Sequence, residues 1–308
     1  MDPSPSSPPR IVAAIVVGAG SARLLVTRTD GVTSAAIARS SATIGLGLDA
    51  DDPPLSERDA VHQAEEAVLV MAREARAIGA ERMVLACTDV ARDASTEGRL
   101  LQVLERATGI RPRILSASEQ ASLAFRGLMS EDLPDSVVVA DLGRRTLTLM
   151  GGTGELAWAT TTDVGTDVMM ARYDPADPPL LDVLGPMMAF ARQTLNPIAV
   201  AHPAEAVVVT GGSAIAVATL ADDEQLTRDR LVTVVERLAG HSSQDIAADT
   251  GLERFRVRGC LAAAAILRPP ARSTTSRPCS FRGGPARGFD LRIVRLDRQE
   301  TLGVTDPY

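Results

Sequence analysis

The sequence predicts an α/β protein built twice from one unit, a three-strand β-meander followed by helices. Three observations lead there. From Val137 an apolar run ends in Asp141, turns through Leu142-Gly143-Arg144-Arg145, continues from Thr146 to Met150, turns again at Gly151 to Gly154, and runs on from Glu155 to Thr161. The same pattern occurs near the start, with Ile11 to Val17, a turn at Gly18-Ala19-Gly20-Ser21, Leu24 to Arg28, a turn at Asp30-Gly31, and Val32 to Ala38. Setting Val16 against Asp141 separates the copies by 125 residues (141 − 16), the size of a domain. With 308 residues, 45% of them hydrophobic, the chain can bury two cores. The expected division is a lead-in at 1–9, an N-terminal domain at 10–128, a C-terminal domain at 129–298 and a tail at 299–308.

The elements follow in order. Met1 to Pro9 has neither a basic region nor an apolar core, so it reads as a disordered lead-in and not a signal peptide. No apolar run is long enough to span a bilayer, and a soluble, cytoplasmic protein is expected. Gly18-Ala19-Gly20 superficially resembles a dinucleotide fingerprint, but the β-like Leu24-Leu25-Val26-Thr27 follows where a helix is required to hold the pyrophosphate. Ser56 with Asp59 caps a helix whose Val61, Ala64, Val68, Met71, Ala75 and Ile78 recur three and four apart. Arg82 to Cys87 is a strand, Glu97 to Ala107 a helix, and Arg113 to Leu115 a short strand. Ser118 is expected to cap the next helix, with Glu119 and Gln120 in its first turn. Leu180 to Leu195 reads as mostly helix, with Gly185-Pro186 as a candidate break or kink, Ala206 to Val209 as a strand, and Ser213 as the cap of a helix through Leu220. Helices broken at Gly240 to Ser243 and Thr250-Gly251 fill Arg228 to Ala264, and Arg268 to Arg287, rich in Pro, Ser, Arg and Gly, reads as a loop.

Composition narrows the chemistry. A net charge of −7 argues against a nonspecific nucleic-acid binder. All 32 basic side chains are Arg, so a Walker-type phosphate loop and a Schiff-base lysine are both excluded, and an anion must be held by Arg, backbone amides or a metal. Cys87, Cys260 and Cys279 are too few and too dispersed for a zinc cluster or a disulfide framework. Asp141, at the end of a buried strand and facing a glycine turn, sets a carboxylate beside backbone N–H groups, a place for a metal and a phosphate.

Two such units resemble the ribonuclease-H-like domains of the actin and sugar-kinase superfamily, whose ligand lies in the interdomain cleft. Within it, four stretches resemble the Ppx/GppA family of exopolyphosphatases and guanosine pentaphosphate phosphohydrolases. Ala86 to Ala94 is similar to that family's A-T-S-A-x-R-D-A, Ser116 to Leu123 to S-G-x-E-E-A-R-L, Asp141 to Thr146 to D-I-G-G-G-S, and Thr210 to Ala214 to its G-G-T phosphate motif. Shorter echoes stand at Gly45 to Asp49, Gly165 to Tyr173 and Asp177-Pro178-Pro179. The resemblance implies Mg²⁺ at Asp141 and phosphate held by Gly18, Ser21, Arg92, Gly143, Thr146, Gly211, Gly212 and Ser213. It implies polyphosphate or guanosine pentaphosphate as ligand, with no membrane or nucleic-acid partner and a second copy of the chain as a candidate partner.

The departures bear on activity. Val16 stands where the family's first Asp is expected, Gln120 where its general base Glu is expected, and Thr148 where a further Glu is expected. An amide cannot take a proton from water at neutral pH, so Glu119 is the neighbour that would have to assume the base role. Arg144 and Arg145 replace two glycines, and they fill the space of a phosphate, bind it through guanidinium groups, or face solvent. The expected function is a phosphoanhydride hydrolase with a degenerate site and weak activity. The alternative is a non-catalytic member that binds a phosphate-rich ligand or a protein. A kinase-like ATPase is a third class, but nothing in the sequence specifies adenosine.

Overall fold

The computed structural model describes residues 8–30, 34–46, 56–88, 94–128, 137–202, 206–223, 225–267 and 291–293. They form two compact units whose boundary falls between Ser130 and Glu131. In the first, β1 (Arg10–Val17), β2 (Ser21–Thr29) and β3 (Ser34–Thr43) make an antiparallel meander, and β4 (Arg82–Thr88) and β5 (Arg113–Leu115) add in parallel on the β1 side, in the order β3-β2-β1-β4-β5. The parallel returns need crossovers, which α1 (Glu57–Ile78) and α2 (Ala94–Thr108) supply. Ser56 caps α1 by accepting from the Asp59 N–H at 3.2 Å, as the sequence predicts, and Gly79, at φ 95°, ends it in the left-handed conformation. The helix lays Val61, Ala64, Val68, Met71 and Ala75 on the sheet residues Ile15, Val17 and Leu24, with Leu100 and Leu104 of α2 completing the core. A further helix, α3 (Ala117–Leu128), follows β5.

The second unit repeats this plan. β6 (Val137–Leu142), β7 (Leu147–Thr153) and β8 (Glu155–Thr162) form the meander, and β9 (Ala206–Thr210) is parallel to β6; with β10 (Gln225–Leu226) and β11 (Leu291–Ile293) the order is β10-β11-β9-β6-β7-β8. Its helices are α4 (Thr166–Tyr173), α5 (Leu184–Ala201), α6 (Gly212–Ala221), α7 (Arg228–Gly240), α8 (Ser243–Thr250) and α9 (Arg254–Leu267). In α9 every residue from Gly259 to Leu267 is buried, so this helix forms the centre of the core.

The duplication is visible in detail. In one hairpin the Gly18 N–H donates to the Ser21 carbonyl at 2.9 Å, and in the other the Gly143 N–H donates to the Thr146 carbonyl at 2.9 Å. Each meander also carries a β-bulge between its second and third strands, at Val26/Thr27 and at Gly151/Gly152. Both pairs keep the offset of 125 (143 − 18 and 151 − 26) read from the sequence.

Several expectations are corrected. β7 runs on through the glycines to Thr153, and the turn is confined to Gly154 at φ 75°. Pro186 does not break α5, because it sits in the first turn, where a backbone N–H would have no helical partner and proline's lack of one costs nothing. The helix instead continues past Leu195 with Pro197 inside it. α3 begins at Ala117, with Ser116 and not Ser118 accepting from the Glu119 N–H, at 3.2 Å. α6 begins at Gly212 after a Gly211 cap that makes no side-chain bond, so Ser213 is not its cap. α4 and β11 have no counterpart in the sequence reading. The lead-in at 1–7, the tail and the whole 268–287 loop lie outside the described residues.

Candidate functional site

Asp141, the next-to-last residue of β6, stands opposite Thr148 of β7 and beside Thr210 of β9. Directly opposed residues of an antiparallel pair put their side chains on one face, about 4.5–5.5 Å apart at Cβ. A carboxylate at position 148 would therefore stand beside Asp141. Thr148 instead bonds its hydroxyl to that of Thr161 across the next strand pair, 3.0 Å away. The matching positions of the first unit are Val16 and Arg23, also cross-strand partners. Thr210 is fully buried, and its Oγ1 has no hydrogen-bond partner among the described residues. At Gly211 the backbone takes φ 99°, and a Cβ there would lie 2.8 Å from Asp141 Oδ1 and closer still to the Leu142 carbonyl oxygen. The Asp141 carboxylate thus abuts the turn that carries Gly212 and Ser213 into α6.

The tip of the β6–β7 hairpin is docked on α4. The Thr166 N–H donates to the Gly143 carbonyl at 3.3 Å and the Asp167 N–H to the Arg144 carbonyl at 2.8 Å. Gly165 allows the approach, since a Cβ would overlap the backbone of Arg144 and Arg145. Arg144 turns into this contact. Its Nε lies 2.6 Å from Asp167 Oδ2 as an ion pair, not an aligned hydrogen bond, and its guanidinium stands over the Phe255 ring at 4.9 Å. The side chains of Arg144 and Asp167 are 13% and 11% exposed, so Arg144 does not face solvent. Asp167 escaped the sequence reading; the acid two residues beyond Gly165, in the first turn of a helix, was the available signal.

In the first unit, Gly18 and Ser21 close the β1–β2 hairpin, and a Cβ on Gly18 would make only ordinary contacts at 3.6 Å. Glu119 and Gln120 sit in the first turn of α3. Glu119 completes a capping box: its carboxylate accepts from the Ser116 N–H at 2.9 Å and the Ser116 hydroxyl at 2.8 Å and pairs with Arg113. The Ser116 backbone bond, then its hydroxyl and Arg113, hold the Glu119 carboxyl below the usual carboxylate range. The Gln120 N–H donates to the Ser116 carbonyl at 2.9 Å. Arg92 lies outside the described residues.

Among the described residues no three His, Cys, Asp or Glu side chains come together as a metal cage. No described helix is long and apolar enough to cross a membrane. Asp141 with the buried hydroxyl beside it fits a cation that keeps much of its water and takes its other oxygens from phosphate, as Mg²⁺ does.

Two meander-plus-helix units with a glycine turn on each first hairpin define a pair of ribonuclease-H-like domains of the actin-like class. The chain belongs to the Ppx/GppA phosphatase family, whose family model matches residues 25–273. Solved structures share the fold. An exopolyphosphatase from Cytophaga hutchinsonii superposes with a TM-score of 0.74 at 15% identity, covering 84% of this chain and 89% of that one. The Aquifex aeolicus PPX-GPPA enzyme gives 0.70 at 18% identity, covering 84% and 91%. An exopolyphosphatase-like protein gives 0.72 at 21% identity, covering 84% and 86%.

Proposed function

We propose that this chain is a phosphoanhydride hydrolase of the Ppx/GppA type, taking polyphosphate or guanosine pentaphosphate, with turnover far below that of a member with a full set of carboxylates. Family membership supports the substrate class. The observation that carries the reduced activity is Glu119, whose carboxylate is engaged by Ser116 and Arg113 beside an amide at Gln120. Hydrolysis needs a group to take a proton from water as the water's oxygen bonds phosphorus and the bridging oxygen leaves with the shortened chain. Neither Gln120 nor a capped Glu119 of lowered pKa is suited to that step, and a missing base removes about 10²–10⁴-fold of rate. Asp141 would hold Mg²⁺, which when bound neutralises charge on the phosphoryl oxygens. Gly143, Thr146, Gly211, Gly212 and Ser213, with Gly18, Ser21 and Arg92, would orient the phosphates.

A second reading, a phosphate-ligand or protein-binding member without turnover, is favoured by the neutral Thr148 opposite Asp141. Phosphate release from long polyphosphate and from guanosine pentaphosphate with Mg²⁺, alongside labelled-polyphosphate binding, separates the two. Slow release above a no-enzyme control supports the hydrolase, and binding without release supports the second reading. Rates equal to those of an intact family member would refute both.

A further inference from the structure

The two glycine loops of the second unit are tied together through α4, and the tie is charged. Asp167 pairs with Arg144 at the hairpin tip, while its chain neighbour Thr166 sets Oγ1 3.2 Å from Ser213 Oγ on the other loop. Behind both lies one face of α9. Phe255 backs the guanidinium, and one turn on, a Cβ at Gly259 would rest 3.6 Å from the Thr166 side chain; residues four apart on a helix share a face. The first turn of α4 moves with the hairpin, because the Thr166 and Asp167 N–H groups are bonded to it.

We propose that Arg144 is a positioning residue: paired with Asp167 and stacked on Phe255, it fixes the first turn of α4 so that Thr166 holds Ser213, setting the spacing between the β6–β7 hairpin and the Gly211-Gly212-Ser213 turn. Its consequence for ligand binding rests on the phosphate reading above; the latch itself does not. The pair is neutral, so Arg144 has no free charge to give a phosphate. Removing one partner of a nearly buried ion pair takes a compensating charge from the other, and the local structure loosens.

Amide hydrogen exchange on the full chain tests the latch without a ligand. In Arg144→Met, exchange should rise about tenfold at residues 143–146 and 211–215 while α1 stays as in the wild type. Thr166→Val, a milder change that decides the matter if Arg144→Met fails to fold, should loosen residues 211–215 and leave the hairpin unchanged. Unchanged exchange at 211–215 in either folded variant overturns the proposal. Labelled polyphosphate supplies the second arm. A positioning role lowers the affinity of Arg144→Met without changing how binding falls with salt, whereas a slope smaller by about one marks a direct phosphate contact and overturns it. No binding by the wild type at low salt would sink the phosphate reading and leave the exchange data to judge the latch.

Discussion

Gly18 and Gly211 both read as phosphate-loop glycines in the sequence, yet alanine at the two positions should act in opposite directions. At Gly211 the backbone lies at φ 99° and ψ 158°, a region reserved for glycine, and forcing a side chain into it costs about 1–3 kcal/mol. The new Cβ would also meet Asp141 Oδ1 at 2.8 Å and the Leu142 carbonyl, which adds about 1–3 kcal/mol of overpacking. At Gly18 the φ is outside the left-handed region and the nearest atoms, the Ser21 carbonyl oxygen and Thr88 Oγ1, are 3.6 Å from a Cβ. Alanine there is tolerated, and by restricting the unfolded chain it stabilises by about 0.4–1 kcal/mol. The single tryptophan makes the assay selective: Trp158 belongs to the second unit, stacked on His202 at 3.8 Å, so its fluorescence in urea follows that unit. With a urea slope of about 1–3 kcal/mol/M, Gly211→Ala should lower the Trp158 midpoint by about 1 M or more. Gly18→Ala should leave it unchanged. A Gly211→Ala midpoint equal to wild type would refute the reasoning. A folded Gly18→Ala that loses polyphosphate affinity would show that the open space at Gly18 is used by ligand.

The remaining predictions concern the base, an ion-paired carboxylate and a thiol. Gln120→Glu alone should leave polyphosphate hydrolysis within about tenfold of the parent, because Val16 and Thr148 also lack the expected carboxylates; recovery to the rate of an intact family member would show the metal site was never impaired. Burial pushes the Asp177 carboxyl up, but the Ser243 hydroxyl and N–H and the Arg254 guanidinium outweigh it and hold it below 3.8. A depressed folded pKa gives stability that is present above the unfolded value and lost as pH falls through the folded one. Asp177→Asn should therefore be less stable than the parent at pH 7 in thermal melts, with the gap closing in acid; a constant gap would refute it. Burial pushes the Cys260 thiol up to about 12, so iodoacetamide at pH 8 should not label it in the folded chain, and labelling read by peptide mass spectrometry would contradict that.

The duplicated meander was legible from sequence because strand alternation and glycine turns are local signals, and the 125-residue offset survives in the hairpin bonds and the bulges. Local propensity likewise marked the Ser56 cap. It misplaced the caps of α3 and α6, since several hydroxyls lie within one turn and only the three-dimensional path selects among them. The weak helix α4 and the three-residue β11 escaped, because they are held by packing against α9 and pairing with β9 and not by their own sequences. The sequence by itself determined the family and the chemistry excluded by the absence of lysine, and it set Val16, Gln120 and Thr148 where the family resemblance leads one to expect carboxylates. Only the tertiary structure decided what the residues at these positions stand against. Arg144 is paired inward with Asp167, Glu119 is engaged by its own helix end, and Thr148 stands opposite Asp141. The reason is physical: residue identity states which bonds a side chain can make, whereas the partner within 3 Å is set by strand register and helix packing across tens of residues.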